Sequence, residues 1–420
     1  MRSKQLSLKL NVFLAVLAIT SFLTTSTAAQ TTRLLHVFND TGIGGNGPWG
    51  GLVIDSSHNL FGTTAIGGVY GGGSVFELSP NTSGGYTFTV LHDFNPHTVD
   101  GYNPLSNLVI DSSGNLYGTA FKGGAHGDGA VFKLAPKAGG GYTESLIYNF
   151  TTGESDGNEP IGGLIFDSAG NLYGTTGAGG TSDKGAVYEL SPAAGGTWTE
   201  SILFNFNGTG GSDPRGSLIF DSTGNLYGTA AEGGSSSDGT VFELSLSGGV
   251  WSETVLLDFD STDGSFPQSS LIFDSAGNLY GTAEDGGSNS DGVVFELTPS
   301  DGAWTETVLH NFNYNDGADG YSPQSSLNFD SSGNLYGTAA FGGSGPCSEG
   351  INYVGCGIIF ELTPSGSGAW TETILHNFAG APNDSREPVP GLISDAAGRL
   401  YGTTYGGGSY DFGTVFEITP

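Results

Sequence analysis

The feature that most constrains the fold is a ten-residue motif, FDSSGNLYGT at 329–338, which recurs along the chain. Its aspartate falls at seven positions, separated by 56, 56, 54, 53, 56 and 65 residues: Asp55, Asp111, Asp167, Asp221, Asp274, Asp330 and Asp395. A nearly fixed period indicates a repeat architecture in which each copy forms one supersecondary unit. The repeat therefore determines the fold class before any single motif does.

Each repeat predicts four β-strands, placed in the fifth copy at 270–273, 278–283, 293–298 and 304–312. Short segments of turn-forming residues, DSAG and PSDGA, join the first strand to the second and the third to the fourth. We expect the motif aspartate to accept a hydrogen bond from a backbone N–H two residues on, as a turn residue does. The alternative is a calcium ligand or a catalytic carboxylate.

The two ends of the chain complement each other. Residues 34–38 match 374–378, which is a fourth strand, whereas 413–420 form a third strand with no fourth after it. We therefore predict an all-β fold: a seven-bladed β-propeller of four-stranded antiparallel blades, closed by the N-terminal strand in the last blade. Residues 30–420 would form this single domain.

The first 29 residues have the pattern of a secretory signal peptide. Arg2, Lys4 and Lys9 precede an apolar stretch at 12–23, and small residues follow at 26–29. We predict a secreted or cell-surface bacterial protein with no transmembrane segment after cleavage; the alternative is an uncleaved anchor. Removal of the three basic residues would leave 8 Lys and Arg against 42 Asp and Glu, a net charge of −34. That charge argues against nucleic-acid partners.

The chain contains two cysteines, Cys347 and Cys356, within its longest spacer. In an exported chain this pair favours a disulfide that closes a loop insertion at 344–357.

The repeat consensus SLIFDSxGNLYGTxxxGG…GxVFELxP…WTExxLxxF resembles the GloVer tandem repeat of exported bacterial proteins, and the resemblance covers residues 34–420. It implies an exported, propeller-like protein of a family whose repeats are joined to different surface anchors. It implies no catalytic residues.

Aspartates concentrate in the loops expected at one rim of the propeller. Five lie in loops between blades and three in loops within blades: Asp100, Asp156, Asp263, Asp319 and Asp384, then Asp128, Asp238 and Asp291. Carboxylates suit hard cations, so we predict an asymmetric acidic ring with weak calcium binding and no other cofactor. The alternative is that these residues are solvated turn residues.

Four histidines share one repeat position: His36, His92, His310 and His376. Tyr148, Phe204 and Leu257 occupy it in the other copies, which argues against a metal role for the histidines.

Aromatic residues in the inter-blade loops suggest a carbohydrate platform: Trp49, Tyr102, Phe266 and Tyr321. We find no catalytic motif, so we predict a monomeric, non-enzymatic binding or scaffold module for a glycan, peptide or protein at the loop-rich rim. Two alternatives stay open: a polysaccharide-active hydrolase or lyase that uses rim carboxylates, and a structural cell-surface or matrix protein.

Overall fold

A computed structural model describes residues 31–39, 42–151, 156–317, 319–349, 353–366 and 368–420. The predicted signal peptide lies outside these residues. The described chain contains seven four-stranded antiparallel sheets, which confirms the seven-bladed β-propeller. Its one helical element is a 3₁₀ turn at Tyr314–Asp316. Among the described residues no helix has the length and apolar character needed to span a membrane.

The blades follow one another along the chain, each with a two-residue first strand. Blades 1 to 3 consist of Val53–Ile54, Leu60–Thr64, Ser74–Pro80 and Tyr86–Asp93; Val109–Ile110, Leu116–Ala120, Ala130–Pro136 and Tyr142–Asn149; and Ile165–Phe166, Leu172–Thr176, Ala186–Pro192 and Trp198–Asn205. Blades 4 to 6 consist of Ile219–Phe220, Leu226–Ala230, Thr240–Ser247 and Val250–Asp258; Ile272–Phe273, Leu279–Ala283, Val293–Ser300 and Ala303–Asn311; and Asn328–Phe329, Leu335–Ala339, Ile358–Pro364 and Trp370–Asn377.

Blade 7 combines both ends of the chain. Ile393–Ser394, Leu400–Thr404 and Thr414–Thr419 are its first three strands, and Thr31–Val37 is its fourth. The N-terminal strand pairs antiparallel with the last strand from Thr31 opposite Thr419 to Val37 opposite Thr414. This pairing is consistent with the predicted closure of the ring.

Each position of the repeat motif has a structural role. In blade 5, Asp274 Oδ1 accepts hydrogen bonds from the backbone N–H groups of Ala276, at 2.8 Å, and Asn278, at 2.9 Å. Its Oδ2 accepts from the Asn278 side chain and from the Tyr280 hydroxyl. A Cβ at Gly281 would lie 2.6 Å from the Phe295 ring, so a side chain does not fit there. The turn interpretation of the motif aspartate is confirmed.

The hydrophobic core lies between neighbouring blades. One cluster joins Tyr227 and Phe259 of blade 4 to Leu271, Leu279 and Phe295 of blade 5, and all five side chains are buried. The other interfaces repeat this arrangement. Because each blade buries its apolar residues against the next, no blade has a separate core.

The two kinds of long loop meet at one rim of the ring, which we call the loop-rich rim. Four inter-blade loops form two-stranded ribbons with the loop between the second and third strands of the following blade. These ribbons are Gly101–Tyr102 with Lys122–Gly123, Gly157–Asn158 with Ala178–Gly179, Gly320–Tyr321 with Phe341–Gly342, and Ser385–Arg386 with Gly406–Gly407.

The insertion in blade 6 contains the predicted disulfide, which joins Cys347 to Cys356. A small ribbon, Ser348–Glu349 with Tyr353–Val354, lies between the two cysteines. Cys356 is buried and belongs to the core cluster that contains Phe378. The disulfide therefore lies closer to the core than a surface insertion would place it.

Candidate binding site at the mouth of the axial channel

A cavity of about 260 Å³ lies on the propeller axis, because all seven blades contribute lining residues from equivalent repeat positions. Seven of them are the first residues after the proline that precedes each first strand: Trp49, Leu105, Ile161, Arg215, Gln268, Gln324 and Val389. These positions carry aromatic, aliphatic, cationic and amide side chains on a scaffold that otherwise repeats. The cavity is therefore chemically asymmetric although the fold is pseudo-symmetric.

A ring of threonine hydroxyls fixes the backbone around this cavity. In every blade the threonine of the second strand's Gly-Thr pair donates to a backbone carbonyl just after the next blade's proline. The bonds join Thr63 to Ser106, Thr119 to Gly162, Thr175 to Gly216, Thr229 to Ser269, Thr282 to Ser325, Thr338 to Pro390 and Thr403 to Gly50, over 2.9–3.4 Å. We call this set the threonine ring. Since the acceptors are backbone atoms, the neighbouring lining side chains can differ without loss of the bonds.

The residue before the proline that precedes each first strand has a positive φ, between 53° and 59°, although residues before proline normally adopt extended backbone. These residues are Gly47, Asn103, Glu159, Asp213, Phe266, Ser322 and Glu387. Backbone hydrogen bonds hold each one on both sides. The N–H of Phe266, for example, donates to the Asp238 carbonyl at 2.9 Å, and its own carbonyl accepts from Glu284 N–H at 3.2 Å. Strained backbone of this kind is concentrated at functional sites, and here it occurs at the channel mouth.

The blade 4 to blade 6 side of the mouth is a polar network. Arg215 donates to Gln268 Oε1 at 2.8 Å, and Gln268 donates to Glu284. Gln324 and Ser322 also donate to Glu284, at 2.7 and 2.9 Å. Burial raises the pKa of Glu284, and these hydrogen bonds offset part of that effect. The network presents amide, guanidinium and carboxyl groups in fixed orientations.

The blade 1 and blade 7 side of the mouth is aromatic. Trp49 lines the cavity, is 40% exposed, and packs edge-on against Tyr405 with ring centres 5.4 Å apart. Of the other loop aromatics suggested by the sequence, Phe266 lies 5.5 Å from the Arg215 guanidinium. Tyr102 and Tyr321 instead pack within the protein. Of the four loop aromatics named from the sequence, Trp49 lines the axial cavity, and Tyr405 packs beside it; the carbohydrate platform stays a prediction.

A second cavity, of about 280 Å³, adjoins the first through Ile161 and Arg215. Its lining includes Lys184 and the acids Glu159 and Asp213. Lys122 pairs with Glu159, and Arg215 pairs with Asp213 at 2.6 Å. Several of the chain's few cations thus lie beside the channel mouth, each close to carboxylates.

The eight predicted rim aspartates lie in the inter-blade and second-to-third loops, but they stabilise those loops. Asp156 and Asp319 are buried, and the other six are partly buried. Asp384 accepts backbone N–H bonds from Ala379, at 2.9 Å, and Ser385, at 2.8 Å. Equivalent bonds tie Asp100, Asp156, Asp263 and Asp319 to their own loops, Asp238 accepts from Ser261, Asp291 accepts from Tyr314 N–H, and Asp128 lies in a β-bridge. None of the eight is among the described residues that line the axial cavity. Their binding role and the weak calcium binding stay predictions.

Three repeat positions converge between neighbouring blades: the predicted histidine position, the inter-blade aspartate, and a fourth-strand residue of the next blade. We call each set an inter-blade triad. In chain order they are His92, Asp100 and Glu144; Tyr148, Asp156 and Glu200; Phe204, Gly210 and Glu253; Leu257, Asp263 and Glu306; His310, Asp319 and Glu372; His376, Asp384 and Thr32; and His36, Gly44 and Phe88. Burial, followed by the charge of the neighbouring aspartate, raises the pKa of Glu144 and Glu200 to about 7 and that of Glu306 to about 8.

Sequence reasoning missed two groups of residues. One is the lining set after the prolines, apart from Trp49; the available signal was that this position carries side chains of different chemistry in otherwise similar repeats. The other group consists of the glutamates of the inter-blade triads. Each of them lies six residues before the buried phenylalanine that ends the fourth strand, so the constant spacing was the available signal.

The model of the Gloeobacter/Verrucomicrobia repeat matches residues 20–160 and 138–348, together more than half of the chain. The chain belongs to the Gloeobacter/Verrucomicrobia repeat family. The resemblance drawn from the repeat consensus is thereby confirmed. A search of curated proteins found no match to this family member.

Two solved structures are similar to this member of the Gloeobacter/Verrucomicrobia repeat family at low identity. One, from Bacteroides uniformis, is provisionally described as a 6-phosphogluconolactonase; it has a TM-score of 0.49 and 13% identity over 77% of this chain and 83% of its own. The other, from Thermus thermophilus, is provisionally described as an oxidoreductase (glucose dehydrogenase); it has a TM-score of 0.45 and 15% identity over 74% of this chain and 94% of its own. Neither likeness carries an argument about function.

Proposed function

We propose that this protein is an exported, non-enzymatic binding module that recognises a glycan at the mouth of its axial channel. The single observation that carries the proposal is the contrast between a repeated scaffold and a non-repeated lining. The residues after the seven prolines include Trp49, Arg215, Gln268 and Gln324 in one cavity. Packing of the blades does not require these differences, because the threonine ring acts through backbone carbonyls.

The chemistry of the lining suits a sugar. A pyranose has an apolar face of C–H groups and a rim of hydroxyls, so it fits a site with an aromatic ring on one side and hydrogen-bonding groups on the other. Trp49 supplies the aromatic side, while Gln268 and Gln324, both held by Glu284, supply acceptors and donors on the facing blades. The cavity of about 260 Å³ is at the small end for a ligand pocket, which favours a terminal residue or a short glycan.

The charge of the chain narrows the ligand class. With a formal net charge of −31 over the full sequence, long-range electrostatics oppose a strongly anionic polysaccharide. The cations at the mouth are already near carboxylates, so they are suited to hydrogen bonding within a neutral site. We therefore expect a neutral glycan.

A glycan array followed by calorimetric titration of the best ligand tests the proposal. We expect Trp49→Ala to weaken binding about tenfold, equivalent to about 1.4 kcal/mol, through the lost aromatic contact. Gln268→Ala, as a separate variant, should also weaken binding of the glycan. Val250→Ala, an exposed substitution on the hairpin between the third and fourth strands of blade 4, is the matched control and should leave the affinity unchanged.

The proposal fails if the array shows no glycan binding, or if Trp49→Ala binds as tightly as the unmodified protein. Release of reducing sugar during the titration would instead support the hydrolase alternative. Thermal melting of each variant separates a lost contact from a lost fold.

A further inference from the structure

Two of the inter-blade triads combine one imidazole nitrogen with two carboxylates, and this combination is independent of the channel mouth. His310 in the fourth strand of blade 5, Asp319 in the following loop and Glu372 in blade 6 bring their ligand atoms within 4.8 Å of one another. His92, Asp100 and Glu144 do the same between blades 1 and 2. Both triads are largely buried; the side chains of His310, Asp319 and Glu372 are 19%, 9% and 16% exposed.

The distances in the blade 5–6 triad fit a metal ion better than hydrogen bonds. His310 Nε2 lies 3.4 Å from Asp319 Oδ2 and 3.6 Å from Glu372 Oε1. Zinc binds nitrogen and oxygen ligands at about 2.0–2.2 Å, which places the ligand atoms of a tetrahedral site about 3.3–3.6 Å apart. His310 Nε2 is also buried without a hydrogen bond, an unfavourable state for a ring nitrogen. A cation among the three ligand atoms would give His310 Nε2 a partner and would bring Asp319 and Glu372 into one charged cluster.

The blade 1–2 triad gives an observation of a different kind, because its imidazole is hydrogen-bonded to Asp100 while two carboxyl oxygens lack hydrogen bonds. His92 Nε2 lies 3.0 Å from Asp100 Oδ2. Asp100 Oδ1 and Glu144 Oε1 are both buried without a hydrogen bond. A cation placed between them would give each of these two oxygens a partner.

We propose that these two triads are binding sites for a borderline divalent cation such as Zn²⁺, each joining two neighbouring blades. One nitrogen and two carboxylate ligands favour this class over Ca²⁺, which prefers six to eight oxygens. A neutral imidazole and two carboxylates carry a charge of −2, which the ion neutralises. A water molecule completes a four-coordinate site.

Substitutions at one other interface of the same chain support this assignment. Where Gly44 replaces the aspartate, Phe88 replaces the glutamate, and His36 stacks on Phe88 with ring centres 3.8 Å apart. The sequence argument against the histidines treated every copy as one site. In the structure each interface is separate, and at this one the histidine contacts an aromatic ring because the other ligand positions are lost.

Calorimetric titration of Zn²⁺ into protein pretreated with a chelator tests the proposal, with Co²⁺ absorption as an independent reading of the ligand set. We expect two saturable sites per chain in the wild type. Glu372→Gln, which keeps the side-chain shape, should leave one, and the double variant Glu144→Gln/Glu372→Gln should leave none. Zn²⁺ should raise the melting temperature of the wild type, and Ca²⁺ at the same concentration should do so less.

His376→Phe is the matched control, because its interface has Thr32 in place of the glutamate. It should keep two sites. Binding of fewer than one Zn²⁺ per chain, unchanged binding in the double variant, or equal stabilisation by Ca²⁺ would each overturn the proposal. If Glu372→Gln melts like the wild type without metal, its loss of one site cannot be attributed to misfolding.

Discussion

Glu253→Gln should stabilise the protein at pH 8 and leave its stability nearly unchanged at pH 4. Glu253 lies in the fourth strand of blade 4, at the interface where Gly210 takes the place of the aspartate. A Cβ at Gly210 would lie 1.9 Å from Glu253 Oε2, so the carboxyl group fills the space that an aspartate would use. Its Oε1 is buried without a hydrogen bond, and burial raises the pKa of Glu253 to about 7.

The sign follows from proton binding. Because the pKa of Glu253 is higher in the folded protein than its ordinary value of 4.5, the folded state holds the proton more tightly than the unfolded state. The contribution of the protonated group to stability is therefore complete below pH 4.5 and is lost as the pH rises through 7. Glutamine keeps the shape of the neutral acid and has no charge to lose.

A pKa change from 4.5 to about 7 corresponds to about 3 kcal/mol in a fully desolvated site. Because the carboxyl is partly solvated, we expect the free energy of unfolding of the variant to exceed that of the wild type by about 1–2 kcal/mol at pH 8. Denaturant titrations at pH 4, 6 and 8 measure this as a shift in midpoint at constant slope. Glu232→Gln, at an exposed rim carboxylate, is the control and should show little pH-dependent gain. A Glu253→Gln variant that is equally or less stable than the wild type at pH 8 would refute the reasoning.

Three further predictions concern the ends, the insertion and the rim. Deletion of residues 32–40 removes the fourth strand of blade 7 and should cause aggregation or a large fall in melting temperature; an unchanged melting temperature would count against ring closure. Replacing Cys347 and Cys356 with alanine should lower the free energy of unfolding by about 2–3 kcal/mol, and two alkylated thiols in the unreduced protein would contradict the disulfide. Calcium should stabilise the protein modestly and magnesium little, with a loss of the calcium effect in Asp263→Asn/Asp319→Asn; equal responses to both ions would return these residues to turn roles.

The fold was predictable from the sequence because its determinants are local and repeated. In each hairpin the motif aspartate bonds to the residue four positions on, which is an asparagine in six copies, as at Asp274 and Asn278, and Arg399 in the seventh. Seven copies of such a hairpin, with strand-forming runs on either side, leave few alternatives. The matching ends of the chain then give the order of strands in the last blade.

The candidate sites were less predictable because they depend on where each side chain points and on contacts between residues that are far apart in the sequence. An Asp-Gly pair predicts a turn, but it does not indicate whether the carboxylate faces solvent or, as at Asp319, accepts backbone N–H groups in its own loop. Asp100 and Glu144 meet only after two blades have packed together. The lining of the axial cavity similarly requires all seven copies to be arranged around one axis.

The pairing of Thr31–Val37 with Thr414–Thr419 has a kinetic consequence. The paired residues are separated by nearly the whole chain, from Thr31 to Thr419. Compared with a hairpin of about ten residues, closing a loop of this length costs about 3 kcal/mol more in chain entropy. We therefore expect the contact to form late, after the other six blades have gained their local hairpins, so that blade 7 keeps an open edge until then. In a hydrogen-exchange experiment on the folded protein, the amide hydrogens of Thr31–Val37 should exchange before those of the other strands.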